Sequence, residues 1–268
     1  EHVVGKVLTI MGAGLVVALL SSYLAEQAAR RRRALQAMEA RVGRVEKLAA
    51  VGEMAAGLAH EIRNPLASLS GAIQMMKDEL HCDPDQERLM RIILREADRL
   101  GALVSNFLLY ARPPAGRPVP VDLERALAET LELFGKTDSV NGRVALRLQA
   151  PPGVWAEIDP DHLRQVLWNL LTNAAEAIEG PGEIRVELSA AAPRQFCLKV
   201  ADSGPGMSPE TLRSMFDPFF STKPSGTGLG LSIVQRILDA CGCRLDVESE
   251  PERGTTFTIL LRRTDPPS

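Results

Sequence analysis

The 268-residue chain is predicted to have a mixed fold: an N-terminal transmembrane helix, an antiparallel helical hairpin, and an α+β sandwich. Three observations lead to this prediction. Residues 7–25 form an apolar run without charge, residues 51–111 repeat apolar side chains at helical spacing, and the part after residue 121 mixes helix and strand patterns without strict alternation. The proline-rich segment 112–118 breaks the helical pattern and indicates a linker.

Composition excludes some classes of function. A net charge of −3 gives no electrostatic reason to expect direct nucleic-acid binding. The cysteines lack the paired spacing of a zinc site, and the Cys241-Gly-Cys243 pair is too tight for a Cys-x-x-Cys redox motif. We therefore interpret Cys82, Cys197, Cys241 and Cys243 as reduced thiols.

The apolar run lies between Lys6 and Glu26 and, at about 1.5 Å per residue, spans roughly the 30 Å of a bilayer core. The four arginines at 30–33 follow it, which predicts a membrane anchor with everything downstream in the cytoplasm. A buried core helix or an amphipathic arm is the alternative, but the run shows no polar face. Because the chain begins at Glu1 and not at Met, one interpretation is the C-terminal part of a longer membrane protein.

A heptad seam over residues 35–49 predicts a signalling helix, and a second seam over 51–76 is out of phase with it near Gly52. His60 and Glu61 fall between the seam positions Leu58 and Ile62, so they should point away from the seam. A second helix over 84–111 also has one apolar face. Each helix of this hairpin leaves one such face to bury, and two chains would close a dimeric four-helix bundle.

The part after the linker is predicted to be an α+β sandwich with helices on one face of its sheet. Its helices are expected at 123–133, 161–178, from Ser208-Pro209 onward, and at 229–241. Its strands are expected at 143–149, 183–189, 196–201, 244–249 and 255–262. The predicted domains are 1–33 (membrane helix and basic segment), 34–112 (signalling helix and hairpin), 113–120 (linker) and 121–264 (α+β domain).

Five motifs occur in a fixed order along the chain. They are His60-Glu61-x-x-Asn64-Pro65, Asn169 with Asn173 one helical turn later, Asp202-x-Gly204-x-Gly206, Phe216–Phe220, and Gly226-x-Gly228-x-Gly230. This set resembles that of the two-component sensor histidine kinases, with a HisKA dimerisation and phosphotransfer domain and a HATPase_c domain. The HEIRNPLAS and PFFSTKPSGTGLGL stretches resemble the branch that contains the nitrogen-regulation and type-IV-pilus-regulation sensors.

The resemblance implies an ATP-binding sandwich of the Hsp90, gyrase and histidine kinase type, and a protein-histidine kinase. His60 would be the phosphoacceptor, since a neutral imidazole is a nucleophile at cytoplasmic pH, and Glu61 would act as acid or base by accepting a hydrogen bond from the ring. Asn173 and Asn169 would hold Mg²⁺, and Asp202 would bind adenine. The remaining ATP-binding residues implied are Gly204, Gly206, Lys223, Gly226, Gly228, Leu229, Gly230 and Thr256.

Two positions refine what the resemblance implies. Asn169 stands where the Hsp90 and gyrase groups carry a glutamate that activates water, so ATP should be held for His60 instead of being hydrolysed. Glu176 stands where many family members carry a phosphate-contacting lysine, which leaves more of that task to Lys223 or an arginine. The phosphoryl group would then pass to an aspartate of a response regulator, and Asn64 would position water for a phosphatase reaction.

Two alternatives stay open at this point. The chain could hydrolyse ATP to drive a conformational change, although Asn169 and the His60 motif argue against it. It could also be a non-catalytic scaffold whose ATP domain only senses nucleotide, although its complete motifs argue against that.

Overall fold

The computed structural model describes Gln27 and residues 62–77, 83–111, 116–137, 140, 142–223 and 226–267. The chain divides into two units, Glu1–Met54 and Ala55–Ser268, and every element below belongs to the second. Within the described ranges, no helix combines the length and the apolar character needed to cross a bilayer. The predicted membrane helix at 7–25, the arginine run, the signalling helix and the phase slip near Gly52 all lie outside those ranges.

The hairpin consists of helix α1, described over residues 62–77, and helix α2, Pro84–Ala111. Asp83 caps α2, because its carboxylate accepts hydrogen bonds from the backbone N–H groups of Asp85 and Gln86 at 3.0 and 2.8 Å. Arg63, near the described start of α1, donates a hydrogen bond to the hydroxyl of Ser105, near the end of α2. The two helices are therefore antiparallel, as the sequence predicted.

Much of the predicted apolar seam is exposed within this one chain. On α1, Ile73 is buried, whereas Ile62, Leu69 and Met76 of the seam are 43–48% exposed. On α2, small Ala97 and Ala111 are buried while larger seam residues are not. The exposed large apolar side chains of the seam on α2 are Leu89, Ile93 and Leu100, at 60, 43 and 49%.

A two-stranded antiparallel sheet follows the hairpin. It joins β1, Val119–Asp122, to β3, Trp155–Ile158, and its register pairs Val121 with Ala156. Neither strand was predicted from the sequence, which placed residues 119 and 120 in the linker. Strands of four residues carry too few alternating positions to be distinguished from loop by their pattern alone.

The main sheet has five strands in the order β2-β4-β5-β7-β6. The β2–β4 pair is parallel, and the other three pairs are antiparallel. A parallel pair needs a long crossover connection, and here β3 and helix α4 lie between the two strands. The strands are β2 Val144–Gln149, β4 Gly182–Ala192, β5 Gln195–Asp202, β6 Arg244–Ser249 and β7 Thr255–Arg262.

Helices cover one face of this sheet, which confirms the predicted α+β sandwich. Alternate residues along the central strands, such as Ile184, Val186 and Leu198, are fully buried, while Arg185 and Lys199 between them are exposed. Helix α4 packs against α3, α6 and the sheet. The helices are α3 Leu123–Gly135, α4 Pro160–Ala177, α5 Pro209–Ser214 and α6 Gly230–Ala240.

Both ends of α4 are capped. Asp159 precedes Pro160 at the N-terminus and accepts hydrogen bonds from the N–H groups of Asp161 and His162. At the C-terminus, the guanidinium of Arg143 donates to the carbonyls of Ala175 and Ile178 at 3.1 and 2.7 Å. A cation at this end also interacts favourably with the helix dipole. These contacts fix the helix that carries the asparagine pair.

Candidate functional site: a nucleotide cavity between two helices and a lid

The asparagine pair lies on the face of α4 that meets the start of α6. A Cβ atom built on Gly230 would lie 3.4 Å from Oδ1 of Asn169 and 3.8 Å from Nδ2 of Asn173. Residues 169 and 173 are four apart, so their side chains share one helix face. The absence of a side chain at position 230 therefore leaves both amides open toward the first turn of α6.

The two amides differ in their hydrogen bonding. Asn169 donates from Nδ2 to the carbonyl of Gln165 at 3.0 Å, which directs its Oδ1 toward the cavity. The Nδ2 atom of Asn173 is buried and has no hydrogen-bond partner among the described residues. A buried polar group without a partner costs about 1–3 kcal/mol, so this side chain is expected to gain its partner from a bound ligand.

These residues fit a magnesium ion, because hard divalent cations take oxygen ligands from carboxylates, amides and water. Rotation of the Asn173 amide by half a turn would present its oxygen in place of the unpaired nitrogen. A fully protein-made metal site is not present: the described residues contain no cluster of three or more His, Cys, Asp or Glu side chains placed to hold a metal. The amide pair could therefore hold Mg²⁺ together with other ligands, such as phosphate and water.

The N-terminus of α6 lacks a side-chain cap. Asp122, Asp159 and Ser208 cap α3, α4 and α5, whereas Leu229 precedes α6 without such a hydrogen bond. The first N–H groups of a helix bind anions well, and phosphate is a common partner. Gly228, just before this helix, has a φ of +66°, a conformation that glycine adopts without strain.

Asp202 ends β5 and accepts a hydrogen bond from the N–H of Gly204 at 2.8 Å. Burial raises the pKa of the Asp202 carboxyl, while hydrogen bonds from the backbone of Gly204 and Thr255 and the charge of Lys223 act in the opposite direction. A half-buried carboxylate with spare acceptor capacity is suited to accept hydrogen bonds from an amino group of a ligand.

The loop after Asp202 is held against the β6–β7 hairpin. A Cβ atom on Gly206, which has a φ of +68°, would lie only 2.0 Å from the carbonyl oxygen of Glu250, so only glycine fits there. The backbone N–H of Met207 donates to the hydroxyl of Ser249 at 2.9 Å, and Glu252 donates to the carbonyl of Pro205 at 2.7 Å. This loop is therefore a rigid wall of the cavity.

The segment between α5 and α6 forms a lid, described over residues 216–223 and 226–228. The N–H of Phe219 donates to the carbonyl of Gly228 at 3.0 Å, which joins the two ends of the lid. Phe219 itself has a φ of +65°, a conformation that costs a non-glycine residue roughly 1–2 kcal/mol. The ammonium group of Lys223 reaches Oε2 of Glu176 on α4 at 2.7 Å.

These parts enclose a cavity of about 500 Å³, which is the size of a site for a small molecule or nucleotide. Most of the predicted ATP-binding residues line it. They are Asn169, Asn173, Asp202, Gly206, Lys223, Gly226, Gly228 and Gly230.

Two other predicted residues, Gly204 and Leu229, do not line the cavity. The backbone N–H of Gly204 donates a hydrogen bond to the Asp202 carboxylate, so Gly204 affects the cavity through Asp202. A Cβ atom at position 204 would lie 2.8 Å from Oδ1 of Asp202. The side chain of Leu229 is 1% exposed and packs in the core, because the turn before α6 directs it inward. Gly204 and Leu229 therefore shape the cavity without lining it.

Thr256, predicted to line the floor of the adenine pocket, is not among the residues that line the cavity. Residues along a strand alternate between the two faces of a sheet, and Thr255 and Phe257 are buried on the cavity side. Thr256 lies between them on the opposite, helix-free face. The hydroxyl of Thr255 is 3.0 Å from the hydroxyl of Ser249, and Thr255 is the threonine of β7 that lines the cavity.

Several lining residues were not predicted from sequence. Thr172 and Leu231 flank predicted positions, and helical spacing could have indicated them. Glu176, which the resemblance placed where a phosphate-contacting lysine often stands, also lines the cavity. Asn106, on α2, reaches the cavity from the helical hairpin, and nothing in its local sequence indicates this. The remaining unpredicted lining residues are Ala174, Ala177, Glu179, Pro205, Met207, Thr211, Met215, Phe220, Ser221, Thr222, Thr227, Thr255 and Phe257.

The phosphoacceptor motif is only partly described. His60 and Glu61 lie outside the described residues, and Asn64 is exposed on α1. His162 is the histidine that the described residues contain. It is buried on α4, with its Nδ1 atom 3.7 Å from the sulfur of Cys241. His162 also packs against Gly116 of the linker, where an added Cβ would lie 2.7 Å from the imidazole, and neither His162 nor Cys241 lines the cavity.

The chain matches two family models. One, described as the His Kinase A (phospho-acceptor) domain, matches residues 50–116, and the other, described as the histidine kinase-, DNA gyrase B-, and HSP90-like ATPase, matches residues 158–265. The chain belongs to the two-component sensor histidine kinases. The first model includes the His60 motif, and the second includes every part of the cavity except Asn106.

Similar histidine kinases come from several bacteria. Sensor histidine kinase ZraS of Klebsiella oxytoca is 39% identical over 258 residues, which are 95% of this chain and 55% of the relative. AtoS of Escherichia coli is 36% identical over 82% of this chain and 36% of the relative. Sporulation kinase D of Bacillus subtilis is 34% identical over 81% of this chain and 42% of the relative. The chain spans about half the length, or less, of these curated relatives.

Solved histidine kinases share the fold. The crystal structure of full-length ShkA in complex with AMPPNP matches with a TM-score of 0.70 and 27% identity, covering 81% of this chain and 47% of that one. The crystal structure of histidine kinase ThkA in complex with the response regulator TrrA matches with a TM-score of 0.59 and 30% identity, covering 82% and 64%.

Proposed function

We propose that this chain is the catalytic part of a sensor histidine kinase that transfers the γ-phosphoryl group of ATP to His60. The observation that carries the proposal is the buried, unpaired amide of Asn173, which faces the uncapped start of α6 in the same cavity as Asp202. A nucleoside triphosphate supplies what each part lacks: phosphate oxygens for the helix N-terminus and an amino group for the carboxylate. The ShkA complex with AMPPNP supports this assignment.

In the proposed reaction, a ring nitrogen of neutral His60 attacks the γ-phosphorus, and the bond to the β-phosphate oxygen breaks to release ADP. Glu61 would accept a hydrogen bond from the other ring nitrogen and so stabilise the positive charge that develops on the imidazole. Asn173 and Asn169 would hold Mg²⁺, which supplies charge neutralisation to the phosphates. Residue 169 is an asparagine, and its amide cannot act as a general base that activates water. This favours phosphoryl transfer to His60 over hydrolysis of ATP.

The proposed partners follow from the hairpin and the relatives. We propose a homodimer, because the seam on α1 and α2 leaves large apolar side chains exposed in one chain, among them Leu69, Leu89 and Leu100. We propose transfer of the phosphoryl group to an aspartate of a response regulator, which the ThkA complex with TrrA supports. Exposed Asn64 on α1 would position water for removal of that phosphoryl group from the regulator.

The finer assignments are also proposals. The residue run 7–25 would anchor the chain in the cytoplasmic membrane, with the domains at 34–112 and 121–264 in the cytoplasm and the linker 113–120 between them. The sequence stretches around His60 and Lys223 favour the nitrogen-regulation and type-IV-pilus-regulation branch.

Incubation with γ-labelled ATP and Mg²⁺ tests the kinase activity. We expect acid-labile, alkali-stable label on the wild type, loss of that label in His60→Gln, and strong reduction in Asn173→Ala. His81→Gln is the matched control and should be labelled like the wild type, because His81 has no such motif around it. Label that persists in His60→Gln, or steady ATP turnover without label, would contradict the proposal and favour the ATPase alternative.

A further inference from the structure

The ion pair between Lys223 and Glu176 lies inside the cavity. The ammonium Nζ of Lys223 is 2.7 Å from Oε2 of Glu176 and 3.5 Å from the backbone carbonyl of Asn173. Glu176 is on α4, three residues after Asn173 and on the same face, whereas Lys223 is on the lid. The pair therefore connects the lid to the helix that carries the asparagine pair.

The charges around the cavity are unfavourable for an anionic ligand. Among the described residues that line it, Lys223 is the one basic side chain, and the carboxylates are Glu176, Glu179 and Asp202. A nucleoside triphosphate adds several further negative charges. Lys223 is the residue able to offset them, but its charge is already neutralised by Glu176 at contact distance.

The ion pair is accessible enough to be exchanged. The side chains of Lys223 and Glu176 are 32 and 47% exposed, and pairs that face water are individually weak. A phosphate group carries more negative charge than a carboxylate and accepts charge-assisted hydrogen bonds from an ammonium group. Phosphates entering the cavity would therefore compete for the same three donors of Lys223.

We propose that Glu176 is a positioning residue that competes with the nucleotide phosphates for Lys223, so that nucleotide binding exchanges the Glu176–Lys223 ion pair for a Lys223–phosphate contact. This inference rests on the proposed function, in which the ligand of the cavity is ATP. In the free protein the Glu176–Lys223 ion pair connects the lid to α4. In the nucleotide complex Lys223 connects the lid to the phosphates instead. Glu176 thereby lowers the affinity for nucleotide and keeps binding reversible.

The test measures the Kd of an ATP analogue that cannot be hydrolysed, with Mg²⁺, on the full chain by calorimetry. Glu176→Gln should bind about threefold to tenfold more tightly, because the amide keeps the shape of the side chain and loses its charge. Glu176→Asp, which retains the charge, should bind like the wild type. Lys223→Met should bind more weakly, and in that background the substitution Glu176→Gln should give a smaller gain.

Glu179→Gln is the matched control. Glu179 lines the same cavity, and no ion pair joins it to Lys223 in the described part of the chain. It should therefore give a smaller gain than Glu176→Gln. An equal gain at the two positions, or an undiminished gain in the Lys223→Met background, would show that Glu176 repels the phosphates directly and would overturn the inference.

The remaining outcomes separate this inference from the proposed function. Unchanged or weaker binding by Glu176→Gln, in a protein that still labels His60, overturns the inference alone. Failure of the wild type to bind the analogue overturns both. Thermal unfolding of each variant without nucleotide shows whether a change in Kd accompanies a loss of folding, and Glu176→Asp gives the comparison with intact charge.

Discussion

The guanidinium of Arg236 lies over the ring of Tyr110, with 5.1 Å between the Cζ atom and the ring centroid. Tyr110 is the penultimate residue of α2, and Arg236 lies in the middle of α6, the helix that begins at the cavity. Tyr110 and Ala111 are both buried, at 6 and 3% exposed. The last turn of the hairpin is thus attached to the nucleotide-binding domain, near the point where Asn106 enters the cavity.

Loss of this contact should loosen the end of α2. Arg236→Gln removes a cation–π interaction worth about 0.5–1 kcal/mol, so amide hydrogen exchange over the last two turns of α2 should become about twofold to fivefold faster. Arg263→Gln is the control, because Arg263 lies over Phe196 at 5.6 Å within the nucleotide-binding domain. Equal exchange rates at α2 in the two variants would contradict an interdomain role for Arg236.

Gly228→Ala should disrupt the lid. The new Cβ would lie 2.4 Å from the backbone carbon of Phe219, and φ at this position is +66°. We expect at least tenfold weaker nucleotide binding. Gly242→Ala is the matched control: its φ is +65°, but no atom lies within 4 Å of the new Cβ, so only the backbone strain of roughly 1–2 kcal/mol remains. Calorimetry should show nearly unchanged nucleotide affinity for Gly242→Ala, and similar losses in both variants would contradict the steric explanation.

Thr255 and Thr256 give opposite predictions on the two faces of β7. Thr255→Ala removes a hydroxyl of the cavity that is paired with Ser249 and should weaken nucleotide binding by about threefold to tenfold. Thr256→Ala, on the opposite face, should change the Kd by less than about twofold. A larger effect at Thr256 would restore the prediction made from the sequence.

Asp202 should link stability to pH. Burial raises the pKa of its carboxyl in the folded state, so its contribution to stability is complete below the unfolded value of about 3.9 and is lost as the pH rises through the folded value. Asp202→Asn should therefore be more stable than the wild type at pH 7, with a gain that shrinks toward pH 4. The same variant should bind nucleotide at least tenfold more weakly.

Thermal unfolding across this pH range, without nucleotide, measures the first effect, and calorimetry measures the second. Glu132→Gln is the control, because the hydrogen bond from Lys136 lowers the pKa of that exposed carboxyl, the opposite direction from Asp202. This substitution should therefore not stabilise the protein at pH 7. An Asp202→Asn variant less stable than the wild type at pH 7 would contradict the assignment of burial as the dominant cause.

The seam of the hairpin should hold two chains together. Leu100→Glu places a charge on an apolar face that is 49% exposed in one chain, so it should shift the protein toward monomer in analytical ultracentrifugation. Leu133→Glu is the matched control, because Leu133 is 54% exposed on α3, away from the hairpin. A wild-type chain that sediments as a monomer would contradict the proposed dimer.

The sequence predicted most of the sandwich because its elements are long or strongly patterned. Strands β6 and β7 were predicted with the observed bounds, since Arg244–Ser249 and Thr255–Arg262 alternate around a Pro-Glu-Arg-Gly turn. Strands β1 and β3 were missed, because their few residues become strands only through pairing with each other. The parallel pairing of β2 and β4 likewise depends on the crossover and has no local signal.

The site was predicted from motif order, and the predicted and observed lining differ at single residues. The sequence indicated a threonine near Gly254, but choosing between Thr255 and Thr256 requires the phase of β7 relative to the sheet. Leu229 was included with its glycine neighbours, although the turn directs its side chain into the core. Asn106 could not be predicted, because it is far in sequence from the other lining residues. Only the packing of α2 on the nucleotide-binding domain brings it to the cavity.

The hydrogen bond between Phe219 and Gly228 also has an entropic consequence. Any segment that becomes ordered around a ligand loses conformational freedom, and the loss grows with the length of chain that is free to move. Since this hydrogen bond already closes the lid into a short loop, much of that loss is incurred when the protein folds. Less conformational entropy is then lost when nucleotide binds, and this pre-organisation favours a higher affinity.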